Sequence, residues 1–401
     1  MFSIKIYLLF KLRLKNLAKL SIIIPFGTSK ERPYIKERVI EKAQHYVSNE
    51  SVEYIFVEGF SSIEHPELKI LIENQGHRYI KDEIQQASKV FSTGQCRNLG
   101  VINAKSDVVM SLDVDCVISE KNLENILELI SIKEIDKNPN AFLVLPCVFL
   151  NELGTEILQN RKLSLWDNII KQDLLFDKKF IKFLTPASST IVMNRFKFLE
   201  LGGNDKEFIG HGYEDFDLMM RILKNCATFE ALPNNLDFDY RNWNFNDFKG
   251  FRALFSIVGN EAAVYGIYLY HLWHIEPNQN GYFNNRDSNH KKFFKNLSKK
   301  NHFIESLQEN SVKNKKNLAL FQENSTSHRI LNQISVFIGE CIFKLEGDFF
   351  DYYENEPKLN KKAFLIFLKN NEISNIILFN PYDNELRLKN LSILQRAKFP
   401  I

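Results

Sequence analysis

The chain has 401 residues, of which 44% are hydrophobic, so it is long enough for two domains or for one large domain with an extension. Its 52 basic and 49 acidic residues leave a net charge of only +3, which argues against a nucleic-acid partner. No apolar run reaches the roughly eighteen residues that a transmembrane helix needs. The five cysteines show no CxxC spacing, which fits a reduced, cytoplasmic compartment and offers no zinc site.

Residues 1–20 form a basic, amphipathic N-terminal segment. Their apolar stretches are short and interrupted by lysine and arginine, and no cleavage site follows, so a signal peptide is not expected. The pattern is typical of a helix on an anionic membrane surface, and also of a helix packed on its own domain. We therefore predict a cytoplasmic protein and leave open a peripheral contact with the inner face of the cytoplasmic membrane.

Apolar strands alternate with amphipathic helices over the first third of the chain. The pattern predicts strands at 21–26, 52–57, 78–80 and 107–112, and helices at 31–48, 93–104 and 120–132. This alternation indicates a parallel, doubly wound sheet, which binds ligands at the carboxyl ends of its strands. Phe26, Glu58 and Asp113 each stand at such an end, so we expect them to converge.

The second half of the chain is less regular. We predict strands at 142–149 and 189–193, helices at 214–225 and 248–265, and an aromatic stretch at 268–274. After residue 285 the composition becomes rich in lysine, asparagine and serine, which predicts a polar linker or solvated helix at 286–317. Apolar runs return at 318–401 and indicate a small C-terminal unit of unknown role.

Two aspartates, Asp113 and Asp115, follow the predicted strand at 107–112. Residues two apart in a strand point to the same face, so both carboxylates can serve one ligand. Hard ions such as Mg²⁺ and Mn²⁺ prefer oxygen ligands and often use one or two carboxylates together with substrate phosphates. The alternative is a pair of solvated acids in a turn, and the strand pattern before them favours the metal site.

A second acidic pair, Glu214 and Asp215, begins the predicted helix at 214–225. Gly210 and Gly212 just before it would let the backbone approach a ligand closely. Acids in a first helical turn can simply be caps. A carboxylate held there also stays ionised at neutral pH, so it can accept a proton from an attacking hydroxyl. We predict a catalytic role, with Asp215 preferred.

Three further groups complete the predicted site. Imidazole is a good ligand for a transition-type ion, so His274, or else His271, would complete the metal shell; a packed aromatic cluster is the alternative. Arg97 and Asn98 are placed at the nucleotide sugar, where Arg97 either pairs with a diphosphate or holds Asp113, if it is not a surface salt bridge. Tyr213 and Trp243 are candidates for stacking on an acceptor sugar, beside Gly212, although single aromatics usually pack in a core.

The ordered set of motifs resembles a known family. It comprises SIIIPF at 21–26, CRNLG at 96–100, SLDVD at 111–115, GYEDFDL at 212–218 and HLWH at 271–274. Over roughly residues 20–285 the chain resembles the inverting GT-A glycosyltransferases of family 2, most closely the bacterial capsule-type, chondroitin-polymerase and galactosyltransferase-like group. The tail at 291–401 resembles nothing known to us.

The resemblance implies a fold and a set of roles. The fold is α/β of the GT-A type, a Rossmann-like, mostly parallel sheet flanked by helices, over residues 21–285 with a C-terminal extension. A UDP-sugar would bind with Mn²⁺ or Mg²⁺, with Pro25, Phe26 and Glu58 lining the uridine pocket; the family often has Asp at the position of Glu58. Asp113 and Asp115 would serve the metal and the ribose or diphosphate, Asp215 would be the base and His274 a metal ligand.

We therefore expect a metal-dependent inverting transferase that moves a sugar from a UDP-sugar to a glycan or lipid-linked glycan in capsule or other surface polysaccharide synthesis. Three alternatives remain. A retaining transferase would share the metal site without a positioned base, and a non-catalytic subunit of a polymerase would bind the UDP-sugar without turnover. A nucleotidyltransferase would release pyrophosphate, and the Gly-Tyr-Glu-Asp segment argues against it.

Overall fold

The computed structural model describes residues 19–226, 236–237, 239–240, 249–299, 302, 304–307, 316–321, 340–345, 350–353 and 356–379. The chain divides into two units, Met1–Glu305 and Ser306–Ile401. Across the described ranges, every helix is too short or too polar to cross a lipid bilayer. The predicted N-terminal segment at 1–20 lies almost entirely outside the described residues, so its membrane contact stays a prediction.

In the described part of the first unit, ten strands form two sheets. In chain order they are β1 (Leu20–Phe26), β2 (Val52–Glu58), β3 (Arg78–Lys81), β4 (Val108–Ser111), β5 (Cys116–Val117), β6 (Phe142–Val144), β7 (Cys147–Leu150), β8 (Ile181–Thr185), β9 (Ile191–Asn194) and β10 (Leu269–His271). Six of them form the central sheet, in the order β3-β2-β1-β4-β9-β6. Strands β3, β2, β1 and β4 run parallel, and β9 and β6 add two antiparallel pairings. The sheet is mostly parallel, which confirms the predicted α/β class.

The first unit also contains helices, some packed on this sheet and others on the second sheet. They are α1 (Tyr34–His45), α2 (Pro66–Asn74), α3 (Glu83–Ser88), α4 (Thr93–Asn103), α5 (Glu120–Ile132), α6 (Glu152–Gln159), α7 (Trp166–Leu175), α8 (Arg195–Glu200), α9 (Glu214–Cys226), α10 (Gly250–Val264) and α11 (Arg286–Leu297). Side chains cap the first turns of several helices. Backbone N–H groups of α3, α4 and α5 donate to the side chains of Asp82, Ser92 and Ser119, respectively. Every residue of β1 and β2 is buried, as expected for strands covered on both faces.

The second sheet has four short strands in the order β5-β10-β7-β8. The sequence pattern predicted one strand at 142–149, and this prediction is wrong, because β6 and β7 belong to different sheets. Pro146 lies between them and has no N–H to donate, which fits the break. Strand β10 pairs with β5 so that His271 lies opposite Cys116. This pairing brings the segment after β10 beside the segment before β5.

The second unit, Ser306–Ile401, has its own strands and a helix in the described ranges. Strands β11 (Lys316–Phe321), β12 (Glu340–Leu345) and β15 (Ile373–Phe379) form a parallel sheet in the order β12-β11-β15. Strands β13 (Phe350–Tyr353) and β14 (Glu356–Leu359) pair antiparallel, and helix α12 (Lys361–Asn370) precedes β15. Residues 286–297, predicted as part of a linker or helix, form helix α11 in the first unit, with Phe293 fully buried.

Candidate active site

A cleft of about 440 Å³ opens at the carboxyl ends of β1 and β4. This is the position at which an open parallel sheet binds its ligand. Most of the residues singled out in the sequence line this cleft. They are Pro25, Phe26, Arg97, Asp113, Asp115, Gly212, Glu214, Asp215, His271 and His274. The two acidic pairs, separated by about a hundred residues of chain, therefore face the same cavity.

Arg97 on α4 links the two acidic pairs. Its Nη2 donates to both oxygens of the Asp113 carboxylate, at 2.7 and 3.0 Å, and its Nη1 lies 3.6 Å from Oε1 of Glu214. The Ser189 hydroxyl also donates to Asp113, at 3.1 Å. Burial by itself would raise the pKa of Asp113, but the Arg97 guanidinium outweighs it and lowers that pKa. Asp113 is therefore held ionised by a buried arginine.

Glu214 and Asp215 begin helix α9 in different surroundings. Glu214 is buried, and its Oε2 has no hydrogen-bond partner within the described part of the chain. Burial, reinforced by the neighbouring Asp215 carboxylate, raises the pKa of Glu214 to about 8. Burial raises the pKa of Asp215 as well, but its Oδ1 accepts the N–H of Phe216 at 2.9 Å, which favours the ionised form. At neutral pH we assign the proton of the pair to Glu214.

Asp115, His271 and His274 form a compact group whose ligand atoms all lie within 4.8 Å of one another. The pairing of β10 with β5 positions them, and Leu272 N–H donates to the Asp115 carbonyl at 2.9 Å. Nε2 of His274 lies 3.4 Å from the Asp115 carboxylate. Burial lowers the pKa of His271 to about 4, so its imidazole is neutral at neutral pH and keeps a lone pair for a ligand.

The hydrogen bonds of His274 fit a divalent cation. Its Nδ1 lies 2.8 Å from the carbonyl oxygen of Ile275, which can only accept, and 3.0 Å from the Tyr34 hydroxyl, which can also accept. In the tautomer with the proton on Nδ1, Nε2 presents its lone pair. That lone pair faces the carboxylate of Asp115, an arrangement that a cation between them would stabilise. Two imidazoles and one carboxylate suit Mn²⁺ better than Mg²⁺, which prefers oxygen. Asp113, predicted as a second ligand, lies outside this group and is engaged by Arg97.

Helix α1 contacts the metal group, which comprises Asp115, His271 and His274, through side chains that the sequence analysis missed. Arg38 donates through Nη1 to Asp115 and through Nη2 to the Trp273 carbonyl, the latter at 2.7 Å. Tyr34 stacks on His274 with ring centroids 5.1 Å apart. Lys42 is buried, its pKa is lowered to about 8 by burial, and it donates to the Cys116 carbonyl. These residues are four apart in sequence and so share one helix face, which is the signal that could have identified them.

Three predicted site residues lie outside the cleft lining. Glu58 is buried at the end of β2 and accepts a hydrogen bond from the Tyr79 hydroxyl. Asn98 binds the backbone of Asn204 through both of its amide atoms, at 2.7 and 2.8 Å, and so holds the loop before α9. Tyr213 is buried and its hydroxyl donates to Asp239 at 3.3 Å. Trp243 lies outside the described residues.

A second group of potential ligands, Asp205, Asp217 and His302, lies in the same unit. The Asp217 carboxylate already accepts from Arg221 at 2.8 Å and from Asn296 at 3.0 Å. The bond from Asn296 ties helices α9 and α11 together. We therefore read this group as a structural network rather than as a metal site.

The fold and the cleft define the class: an α/β protein with a ligand cleft at the carboxyl ends of its parallel strands. A sequence profile described as "Glycosyltransferase like family 2" matches residues 21–301, which is more than half of the chain. The chain therefore belongs to this glycosyltransferase family. No curated protein sequence matches it.

Several solved structures are similar to part of the chain. TarS of S. aureus is 15% identical with a TM-score of 0.32, and the match covers 51% of this chain and 33% of TarS. Glucosyl-3-phosphoglycerate synthase from Mycobacterium tuberculosis, solved with Mn²⁺, UDP and glucosyl-3-phosphoglycerate, is 13% identical with a TM-score of 0.30, covering 52% and 66%. GalNAc-T7, solved with UDP, GalNAc and Mn²⁺, is 17% identical with a TM-score of 0.32, covering 52% and 41%. The chain thus spans about a third of the TarS chain it matches.

Proposed function

We propose that the protein is a metal-dependent inverting glycosyltransferase. It would move a sugar from a UDP-sugar to a glycan or lipid-linked glycan in the synthesis of a capsule or another surface polysaccharide. One observation carries the proposal: the Glu214–Asp215 pair and the Asp115–His271–His274 group line a single cleft of about 440 Å³. Family membership supports sugar transfer as the reaction. We place the protein in the cytoplasm, where nucleotide sugars are available, with a peripheral contact at the inner membrane face.

The donor would bind along the ends of β1 and β4. Pro25 and Phe26 line the cleft there and would contact the uracil, with Glu58 behind them in the role that the family resemblance gives it. Asp115, His271 and His274 would hold Mn²⁺ or Mg²⁺, which supplies positive charge for the departing diphosphate. Arg97 would keep Asp113 ionised and oriented toward the ribose or the diphosphate.

Asp215 would act as the base. Because Glu214 carries the proton of the pair, Asp215 presents an ionised carboxylate that can take the proton of the attacking acceptor hydroxyl. Gly212 lies two residues before Glu214 with φ of 93°, and, apart from its two chain neighbours, no atom of the described residues lies within 4 Å of the place where a Cβ would stand. The acceptor sugar would approach over this open backbone, with Tyr213 and Trp243 as proposed neighbours. Direct attack on the anomeric carbon from the face opposite the departing UDP would form the new glycosidic bond as the bond to UDP breaks, with inversion, and Asp215 would take the acceptor proton.

The test is slow donor hydrolysis with purified protein. A panel of UDP-sugars is incubated with Mn²⁺, with Mg²⁺ and with a chelator, and UDP release is measured. We expect one sugar to be hydrolysed only when a divalent ion is present. In Asp215→Asn, acceptor-dependent transfer should fall by about a hundredfold or more while UDP binding persists. The matched control is Asp177→Asn, whose carboxylate is 62% exposed outside the cleft and whose activity should be unchanged.

Other outcomes would assign a different function. A product that retains the anomeric configuration, with activity surviving in Asp215→Asn, would indicate a retaining transferase. UDP-sugar binding without turnover would indicate a non-catalytic subunit of a polymerase. Release of pyrophosphate in place of UDP would indicate a nucleotidyltransferase. Absence of both binding and hydrolysis with every UDP-sugar would overturn the proposal.

A further inference from the structure

The end of α7 and the turn that follows it expose two large apolar side chains. Leu175 is 77% exposed and Phe176 is 79% exposed. On the adjoining edge strand β8, Leu184 is 51% exposed, and Leu153 at the start of α6 is 48% exposed. Single exposed apolar residues are ordinary, but several on connected segments indicate a contact surface. The catalytic proposal gives these residues no role.

The turn is held in a defined shape. The buried carboxylate of Asp173 accepts the N–H groups of Lys179 and Phe180, at 2.7 and 3.0 Å. Asn151, just before α6, donates to the Lys179 carbonyl at 2.6 Å, so the start of α6 is fixed to the same turn. Lys178 takes φ of 50°, a left-handed conformation that an ordinary side chain adopts only at a cost. These bonds hold Leu175 and Phe176 in their exposed position.

Lysines surround the exposed apolar side chains. Lys171, Lys178, Lys179 and Lys182 are all exposed within the fourteen residues from 171 to 184. The segment contains two acids: Asp173 is buried and serves the turn, and Asp177 pairs with Lys179 at 2.9 Å. The exposed charge of the segment is therefore net positive. We call Leu175, Phe176, Lys178, Lys179, Lys182 and Leu184 the basic-apolar edge.

This composition favours a lipid surface over a protein partner. Lysine is depleted in protein–protein interfaces, whereas it is favoured beside leucine and phenylalanine where a protein enters a headgroup layer. Lysines on an edge strand also prevent strand pairing, but that purpose does not require an exposed leucine and phenylalanine. The long lysine side chains can reach phosphate headgroups while Leu175 and Phe176 enter the acyl boundary.

We propose that the basic-apolar edge docks on an anionic lipid bilayer. The geometry connects this surface to the cleft, because Lys182 and Phe183 of β8 also line the cavity. A protein docked in this way would have its cleft open next to the headgroup layer, where a lipid-linked glycan would be presented. The docking itself does not depend on the proposed reaction.

The test is cosedimentation of the full chain with vesicles. One set contains phosphatidylcholine alone and the other contains equal parts of phosphatidylcholine and phosphatidylglycerol. The double variant Leu175→Ser with Phe176→Ser should bind the anionic vesicles about tenfold more weakly than the unaltered chain. Lys178→Glu with Lys179→Glu should remove the preference for phosphatidylglycerol. Circular dichroism and UDP release from free donor, which should be unchanged in both variants, show that fold and catalysis are intact.

Matched control variants show whether vesicle binding depends on the basic-apolar edge or on other exposed side chains. Val264→Ser removes an apolar side chain that is 83% exposed at the end of α10. Lys121→Glu with Lys137→Glu reverses two lysines that are 70% and 68% exposed elsewhere. Equal loss in the control and test variants, unchanged binding in the test variants, or no binding of the unaltered chain to anionic vesicles would each overturn the docking proposal. Activity on free donor then separates this failure from failure of the proposed reaction.

Discussion

Replacing Glu214 by glutamine should remove a pH dependence from the stability of the first unit. Burial raises the pKa of Glu214 from 4.5 to about 8, with the Asp215 carboxylate as the second cause. Between these two values the folded protein holds a proton that the unfolded chain has lost. The contribution of Glu214 to stability is therefore complete below about pH 4.5, declines as the pH rises, and is lost above about pH 8.

The size of the change in unfolding free energy follows from the raised pKa of Glu214. One pKa unit corresponds to about 1.4 kcal/mol, so a shift of about 3.5 units sets a ceiling near 5 kcal/mol. Glu214 and Asp215 titrate as a pair, so only part of the raised pKa belongs to Glu214 alone, and we expect about half of the ceiling. The unaltered chain should lose about 2 kcal/mol of unfolding free energy between pH 5 and pH 8.5 that Glu214→Gln does not lose.

Urea unfolding at a series of pH values measures this difference. Tryptophan fluorescence reports on the first unit, because residues 166, 243 and 273 are the only tryptophans of the chain. The control is Glu124→Gln, whose side chain is 70% exposed and whose stability should follow the unaltered chain at every pH. If Glu214→Gln keeps the full slope, Glu214 does not hold the proton and the assignment of Asp215 as the ionised partner is wrong.

Three other predictions test the site and the fold. Arg38→Met leaves the Asp115 carboxylate without its guanidinium partner and should lower the unfolding free energy by about 3 kcal/mol. Mn²⁺ should then raise the thermal midpoint of this variant more than that of the unaltered chain. An equal Mn²⁺ shift in both proteins would contradict this. His271→Ala should abolish the thermal shift by Mn²⁺, whereas Asp205→Asn should keep it, and the reverse result would move the metal to the second group. Gly100→Val places a branched side chain against Ile23, so urea unfolding should show a loss of about 2 kcal/mol, and an unchanged midpoint would refute this close packing.

The central sheet could be predicted because its strands carry their own signal. Strands β1 and β2 are buried on both faces, so each reads as a continuous apolar run that needs no partner to be recognised. Helix α5 was predicted with its observed bounds, because Ser119 caps it and its apolar residues recur at helical spacing. Helices α2, α6 and α7 were missed, since short amphipathic helices between loops resemble polar connections.

The candidate site was only partly accessible from the sequence. Acids after a strand and acids at a helix start carry a local pattern, so Asp113, Asp115, Glu214 and Asp215 could be singled out, although their catalytic and binding roles stay predictions. Residues that act through contacts with distant segments had no such pattern. Ser189, which donates to Asp113 at 3.1 Å, looks like any other serine in a polar stretch.

The Asp115–His271–His274 group depends on the pairing of two distant strands, and the sequence pattern does not predict that pairing. Asp115 and His271 are separated by more than 150 residues, and the strands that join them, β5 and β10, have two and three residues. Strands so short have too little pattern to be paired from sequence. Their register is stabilised from outside the sheet, since Lys42 binds the Cys116 carbonyl and Arg38 binds the Trp273 carbonyl. Helix α1 therefore fixes both segments that carry the ligands, and the stability of that helix should set how well the metal group is ordered before a donor arrives.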